Sequence, residues 1–271
     1  MKFTKQIAAA ATTAALALTL AACGGDESGG KDDKIVIGIK YDQPGLVQKV
    51  GDKYEGFDVE VAKYVAKELG YEESKIEFKE APSPQRENLI QGGQVKLVVA
   101  TYSISEERKK KVTFAGPYIV VGQDLLVRKD SDITSVETLK GKKLCSVTGS
   151  TSAKNVKEKV PGVQLQEFDT YSKCADALAN GAIDALTTDD IILAGYAAQD
   201  AYKGKLKLVG APFTEEKLGI GMKKGDTKLC EDVNKAVQKM IDEGEWKKAL
   251  EKTVGPSGYT IPEPPKFDGC N

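Results

Sequence analysis

Arg108 and Asp189 are the two side chains whose type and position suggest ligand chemistry. A guanidinium can grip a carboxylate with two parallel hydrogen bonds, which an ammonium cannot do. A carboxylate at a strand end can take an ammonium. Each also has a plainer reading: Arg108 precedes Lys109, Lys110 and Lys111 and could belong to a solvated face, and Asp189 could cap the next helix. Around them, hydroxyls and cations follow short apolar runs: Lys40-Tyr41, Thr101-Tyr102-Ser103, Thr148 to Ser152, and Thr187 to Asp190. That composition suits a small zwitterion better than an apolar ligand. The segment 148–152 is a Gly- and hydroxyl-rich link into a helix start, where free N–H groups favour an anion, although a plain capped turn reads the same way. It lacks the Lys of a phosphate-binding P-loop, which argues against a nucleotide. The chain has no histidine. Ser-His-Asp and Cys-His nucleophiles and His-ligated zinc are therefore excluded.

The elements that must position these residues alternate. Residues 35–39 form a continuous apolar run and read as a buried strand. Phe57, Val61, Val65 and Leu69 recur every four residues, one face of a helix opened by Asp58 and stopped by Gly70. Strands follow at 75–79 and 97–100, with a short helix opened by Pro84 between them. Ser105 can cap a helix with Glu106 and Glu107 in its first turn. The pattern repeats with strands at 144–147, 165–168, 183–186 and 205–209. A final long helix carries Leu229, Val233, Val237, Met240 and Ile241 on one face. Such alternation predicts parallel α/β sheets, two of them at 271 residues. In open α/β sheets ligands bind beyond the carboxyl ends of the strands, where the hydroxyls and cations above fall.

Lys and Arg number 39 against 40 Asp and Glu, a balance that argues against a nucleic-acid binder. At the start of the chain, Lys2 and Lys5 precede an uncharged Ala- and Leu-rich run over residues 7–22, which reads as a secretory signal peptide. Leu20-Ala21-Ala22-Cys23 resembles a bacterial lipobox, which implies cleavage before Cys23 and lipidation of its thiol. Residues 24–33 hold four glycines, four acids and no apolar residue, the composition of a tether. The chain is then expected to be lipid-anchored without spanning the membrane, outside the cytoplasm. Cys145, Cys174, Cys230 and Cys270 allow three disulfide pairings in an oxidising compartment; pairing each with its nearer neighbour would close two local regions.

Several motifs resemble the solute-binding proteins for polar amino acids that serve ABC importers. Gly56-Phe57-Asp58-Val59-Glu60-Val61-Ala62 is similar to their GFDVDLA signature. Arg86 to Gly93, Ala100 to Arg108, Phe114-Ala115-Gly116-Pro117-Tyr118, Gly149 to Ser152 and Asp184 to Asp190 follow the family's order. Ile37 to Gly45 suggests the glutamate-binding lipoproteins. The likeness runs from about residue 35 to 255. Lys96 and Ala115 depart from the family pattern at positions that carry no ligand contact.

The resemblance implies a two-lobed type II periplasmic-binding-protein fold, α/β in class. Residues 1–22 would be the signal and 23–33 the lipidated Cys and tether. Lobe 1 would be 34–125 plus 217–271 and lobe 2 126–216, with hinge strands near 124–127 and 218–222. It further implies that Arg108 binds an α-carboxylate with Ser103 and Thr151, and that Asp189 binds an α-ammonium with Thr101. Lys40 and Arg86 would grip a side-chain carboxylate, and Tyr41 or Tyr102 would cover the aliphatic chain. Lys40, Arg86, Arg108 and Asp189 together carry +2 against the −1 of glutamate, so a further acid, Asp42 or Glu80, would complete the balance. The implied protein is a monomer that hands glutamate to permease subunits, with no cofactor, metal or catalysis. Glutamine, aspartate or broad polar binding, a dehydratase-like enzyme, and a module presenting ligand to a sensor are the competing readings.

Overall fold

The structure, a computed structural model, describes residues 34–270. The residues read above as signal peptide, lipidated Cys23 and tether lie outside them. In chain order, β1 (Ile35–Ile39) leads into β2 (Asp42–Gln43), β3 (Val47–Val50) and β4 (Lys53–Glu55), which make a small antiparallel sheet. Then come α1 (Phe57–Glu68), β5 (Ile76–Glu80), α2 (Arg86–Gln91), β6 (Leu97–Ser103), α3 (Glu106–Lys109) and β7 (Val112–Arg128). The second half holds β8 (Lys143–Val147), α4 (Thr151–Lys159), β9 (Gln164–Phe168), α5 (Tyr171–Ala179), β10 (Ala185–Asp189), α6 (Asp190–Ala198) and β11 (Leu206–Leu208). The chain returns to the first half through β12 (Thr214–Lys223), α7 (Thr227–Asp242) and α8 (Glu245–Thr253).

Each half is built on three parallel strands: β5-β1-β6 in the first and β10-β8-β9 in the second. The expectation of two sheets needs correcting, because the strands form one hydrogen-bonded order, β5-β1-β6-β12-β7-β10-β8-β9, with β11 also on β7. The reason is the length of β7. Its seventeen residues pair antiparallel with β12 over 112–123 and with β10 over 123–127, so a single strand serves both halves. The result is a two-lobed α/β molecule whose lobes meet along β7 and β12.

Helix α1 shows how local sequence sets these elements. Gly56 precedes it at φ 130°, and a Cβ there would stand 2.2 Å from the Leu46 carbonyl oxygen, so only glycine lets β3 and the helix start approach so closely. Phe57, Val61 and Val65 are buried as the four-residue spacing predicts. Phe57 meets Trp246 edge-on at 6.0 Å, and burying such a ring stabilises the fold by roughly 1.5–3 kcal/mol. The final long helix expected from Leu229 to Ile241 is α7; beyond it Gly244, at a left-handed φ of 75°, turns the chain into α8, whose Trp246 enters the core. The β2–β4 sheet has no strong periodic signal, because its strands are short and largely exposed.

The cysteines pair as nearer neighbours. Cys145–Cys174 ties β8 to α5, and Cys230–Cys270 ties the extended tail to α7, with Cα–Cα distances of 5.7 and 5.9 Å. Among the described residues, no helix is long and apolar enough to cross a membrane.

Candidate functional site

A polar cavity lies where β6, β8 and β10 end, the position that the strand-end argument selects. It is small and lined almost wholly by polar side chains, with the two halves of the molecule drawn close around it. Arg86, Thr101, Ser103, Arg108, Thr151 and Asp189, all expected from the sequence, line it together. Gln43, Ser83, Ser150, Ser152 and Tyr171 line it too. Ser150 and Ser152 fall in the hydroxyl-rich link already singled out. Gln43 follows β1 by four residues and Tyr171 begins a helix, so neither carries a strand-end signal.

Arg108 is no solvated side chain. It is 8% exposed, and its Nη1 donates to the Ser103 carbonyl at 2.9 Å. Nη2 reaches the Gly149 carbonyl across the cleft at 3.4 Å. Arg86, on the first turn of α2, is 3% exposed and donates from Nε to the Ala81 carbonyl at 3.0 Å. Burial, and next the neighbouring Arg108 charge, push its pKa down. Both guanidiniums stand over the Tyr102 ring, at 5.2 Å for Arg86 and 4.7 Å for Arg108, where the ring face attracts cations. Tyr102 is therefore a platform beneath the arginines, not a cover over the cavity as the resemblance implies.

Asp189 ends β10 and precedes α6, but its side chain makes no capping bond to that helix. The capping reading is thus replaced by exposure to the cavity. Burial holds its carboxyl pKa well above the usual carboxylate range, with Glu216 and Asp190 adding to the effect. A cation in the cavity would restore the charged form. Thr151 begins α4, whose N-cap Ser150 accepts from the Ala153 N–H at 3.0 Å. Thr151 Oγ1 meets Ser103 Oγ from the opposite side of the cleft at 3.0 Å.

Thr101 is held in a conformation costly for its type. Its φ is 46°, the one positive value outside glycine among the described residues, at a cost of roughly 1–3 kcal/mol. Asp58 offsets that strain: its Oδ2 accepts the Thr101 N–H at 2.9 Å, while Oδ1 accepts the Tyr118 hydroxyl at 2.9 Å. Burial raises the Asp58 pKa to about 6 against these two hydrogen bonds and Arg86, which lower it.

Lys40 and Tyr41 lie outside the lining. Lys40 is buried and forms an ion pair with Asp42, so its charge is cancelled within the protein. Asp42 Oδ2 also accepts the Tyr171 N–H at 2.6 Å. Tyr41 stacks on Tyr54 at 4.6 Å, packed against the small sheet. Lys96 is exposed and Ala115 is buried in β7; neither reaches the cavity.

This cleft at the strand ends, between two α/β lobes, has known counterparts. The glutamate-binding protein GluB of Corynebacterium efficiens is 44% identical, over 95% of this chain and 94% of that protein. The ABC transporter glutamine-binding protein GlnH of Bacillus subtilis is 40% identical over 88% and 92%. An ancestral arginine-binding protein solved with glutamine superposes with a TM-score of 0.77 at 36% identity, covering 83% of this chain and 99% of that one. The profile of one family matches residues 35–256, and the chain belongs to that family, the bacterial extracellular solute-binding proteins, family 3.

Proposed function

We propose that this chain is the extracytoplasmic, lipid-anchored glutamate receptor of an ABC importer. The observation that carries this reading is the charge lining the cavity: two guanidiniums, Arg86 and Arg108, against one carboxylate, Asp189. The side chains lining the cavity themselves sum to +1, which a bound glutamate at −1 neutralises; outside the lining, Lys40 pairs with Asp42, and Glu87 stands 3.6 Å from Arg108 Nε. Arg108 with Ser103 and Thr151 takes the α-carboxylate, Asp189 the α-ammonium, and Arg86 the side-chain carboxylate. The resemblance to a glutamate-binding and a glutamine-binding protein supports an amino acid as ligand. Lobe 1 is residues 34–125 and 217–271, and lobe 2 is 126–216. Ligand contacts from both lobes favour the closed form by their differential affinity, and that form is delivered to the permease.

Calorimetric titration of the purified protein with glutamate, glutamine and aspartate tests the reading. Glutamine would leave a buried guanidinium facing a neutral amide, which costs more than the 1.4 kcal/mol of a tenfold change. Glutamate is expected to bind at least about tenfold more tightly than glutamine. Arg86→Met is expected to remove that preference, and Arg108→Ala to abolish binding of any α-amino acid. Equal wild-type affinities for glutamate and glutamine would overturn the assignment of Arg86.

A further inference from the structure

Gln43 is a buried carboxamide with one half of its hydrogen bonding unused. It is 1% exposed, lines the cavity and comes from β2, outside the strand ends that supply most of the site. Its Nε2 lies 2.7 Å from Thr101 Oγ1. The orientation of the amide follows from the hydroxyl. Thr101 has one hydroxyl proton, and Oγ1 donates it to the Ala100 carbonyl oxygen at 2.7 Å. A carbonyl can only accept, so toward Gln43 the hydroxyl is an acceptor and the nitrogen must face it. That leaves Oε1 on the other side, and Oε1 has no hydrogen-bond partner among the described residues. A buried acceptor left unpaired is costly, and native structures rarely keep one without a use.

We infer that Gln43 Oε1 contacts the bound ligand and accepts a hydrogen bond from one of its N–H groups. This rests on the amino-acid reading above and adds a residue that the strand-end argument did not supply. Two groups have the required chemistry: the α-ammonium that every amino acid carries, and the side-chain carboxamide of glutamine. A carboxylate has no N–H, so Gln43 does not read the side chain of glutamate. Asp189 alone cannot satisfy the three N–H donors of an ammonium at one point, which is the need a second acceptor would meet. The strained φ of Thr101 has a role in the same arrangement, since the threonine that Asp58 holds in place is the one that orients the amide.

The experiment is calorimetric titration of the wild-type protein and Gln43→Met with glutamate and glutamine. Methionine keeps the side-chain length and removes both polar atoms. If the ammonium is the partner, both ligands weaken by a similar factor, about ten- to 150-fold for one hydrogen bond to a charged group. If the carboxamide is the partner, glutamine alone weakens and the preference for glutamate widens. Affinities within twofold of wild type for both ligands would overturn the inference. Gln43→Glu reads the same contact independently of how the methionine variant folds. It keeps an acceptor oxygen beside the cavity and adds a negative charge, so either both ligands change affinity together by at least about tenfold, through the ammonium, or glutamine gains on glutamate by that much, through the carboxamide; affinities within twofold of wild type for both ligands would place Gln43 away from the ligand. Should wild-type protein prefer another α-amino acid, the glutamate reading fails, and Gln43→Met is read on that amino acid through its ammonium.

Discussion

Three buried charges at the site behave differently because their partners differ. Lys40 is neutralised by Asp42 and is part of the frame, while Asp189 keeps a cavity-facing carboxyl that burial makes reluctant to ionise. Asp58 lies behind the site and supports it. Its pKa rises from the ordinary carboxylate range to about 6, so the folded state holds a proton that the unfolded chain has already released. The resulting stability is complete below about pH 4 and is lost as the pH rises through about 6, because the folded state binds more protons across that window. The shift corresponds to about 3 kcal/mol. Denaturant unfolding at a series of pH values is therefore expected to show wild type losing about that much relative to Asp58→Asn between pH 4 and 7. A difference that does not change with pH would mean that Asp58 ionises as freely when folded as when unfolded.

Among the elements, the extended tail after α8 depends most on one bond. Residues 258–270 form no helix or strand, yet Tyr259 donates to Asp190 Oδ1 at 2.8 Å and the Asp268 N–H donates to the Gly116 carbonyl at 2.9 Å. Lys217 pairs with Asp268 at 2.9 Å, an exposed contact of little strength. Cys230–Cys270 closes a loop over a sequence separation of 40 and fixes the tail on α7. Removing it as Cys230→Ser with Cys270→Ser is expected to cost about 3–4 kcal/mol in the chain-entropy picture. Hydrogen exchange should locate the new mobility in residues 258–270. Equal denaturant midpoints with and without the bond would show that packing alone holds the tail.

At the scale of the molecule, the lobes are shut. Arg108, Ser103 and Asp42 of the first half bond Gly149, Thr151 and Tyr171 of the second, and Tyr196 donates to the Asp42 carbonyl at 2.6 Å. Lys154 and Glu107 add an exposed pair at the rim. Two glycines permit the approach: a Cβ on Gly149 would stand 3.1 Å from Pro84, and one on Gly195 would stand 2.1 Å from the Pro44 carbonyl oxygen. Gly195 lies inside α6, where alanine is the better helix former. Gly195→Ala is thus expected to leave the open protein as stable as wild type and to weaken ligand binding at least about tenfold by blocking closure. Titration together with small-angle scattering in saturating ligand would check this; undiminished affinity with normal compaction would mean that Pro44 yields to the added methyl.

Much of this was legible because it is written locally. The β–α alternation, the burial of Phe57, Val61 and Val65, and the gathering of Arg108, Thr101 and Asp189 at strand ends follow from periods of two to four residues and from which end of a strand faces a ligand. Resemblance added Arg86. Other features depend on contacts between residues far apart in the chain. That Lys40 is cancelled by its neighbour Asp42 follows from both being folded beneath Tyr171, 129 residues beyond Asp42. The orientation of Gln43 is set by a hydroxyl 58 residues away. Sequence by itself determined the class of fold, the disposition of the strand ends and the chemistry available there. Only the tertiary structure decided which charges remain free to meet a ligand, because a side chain's charge acts through the partners that folding brings to it.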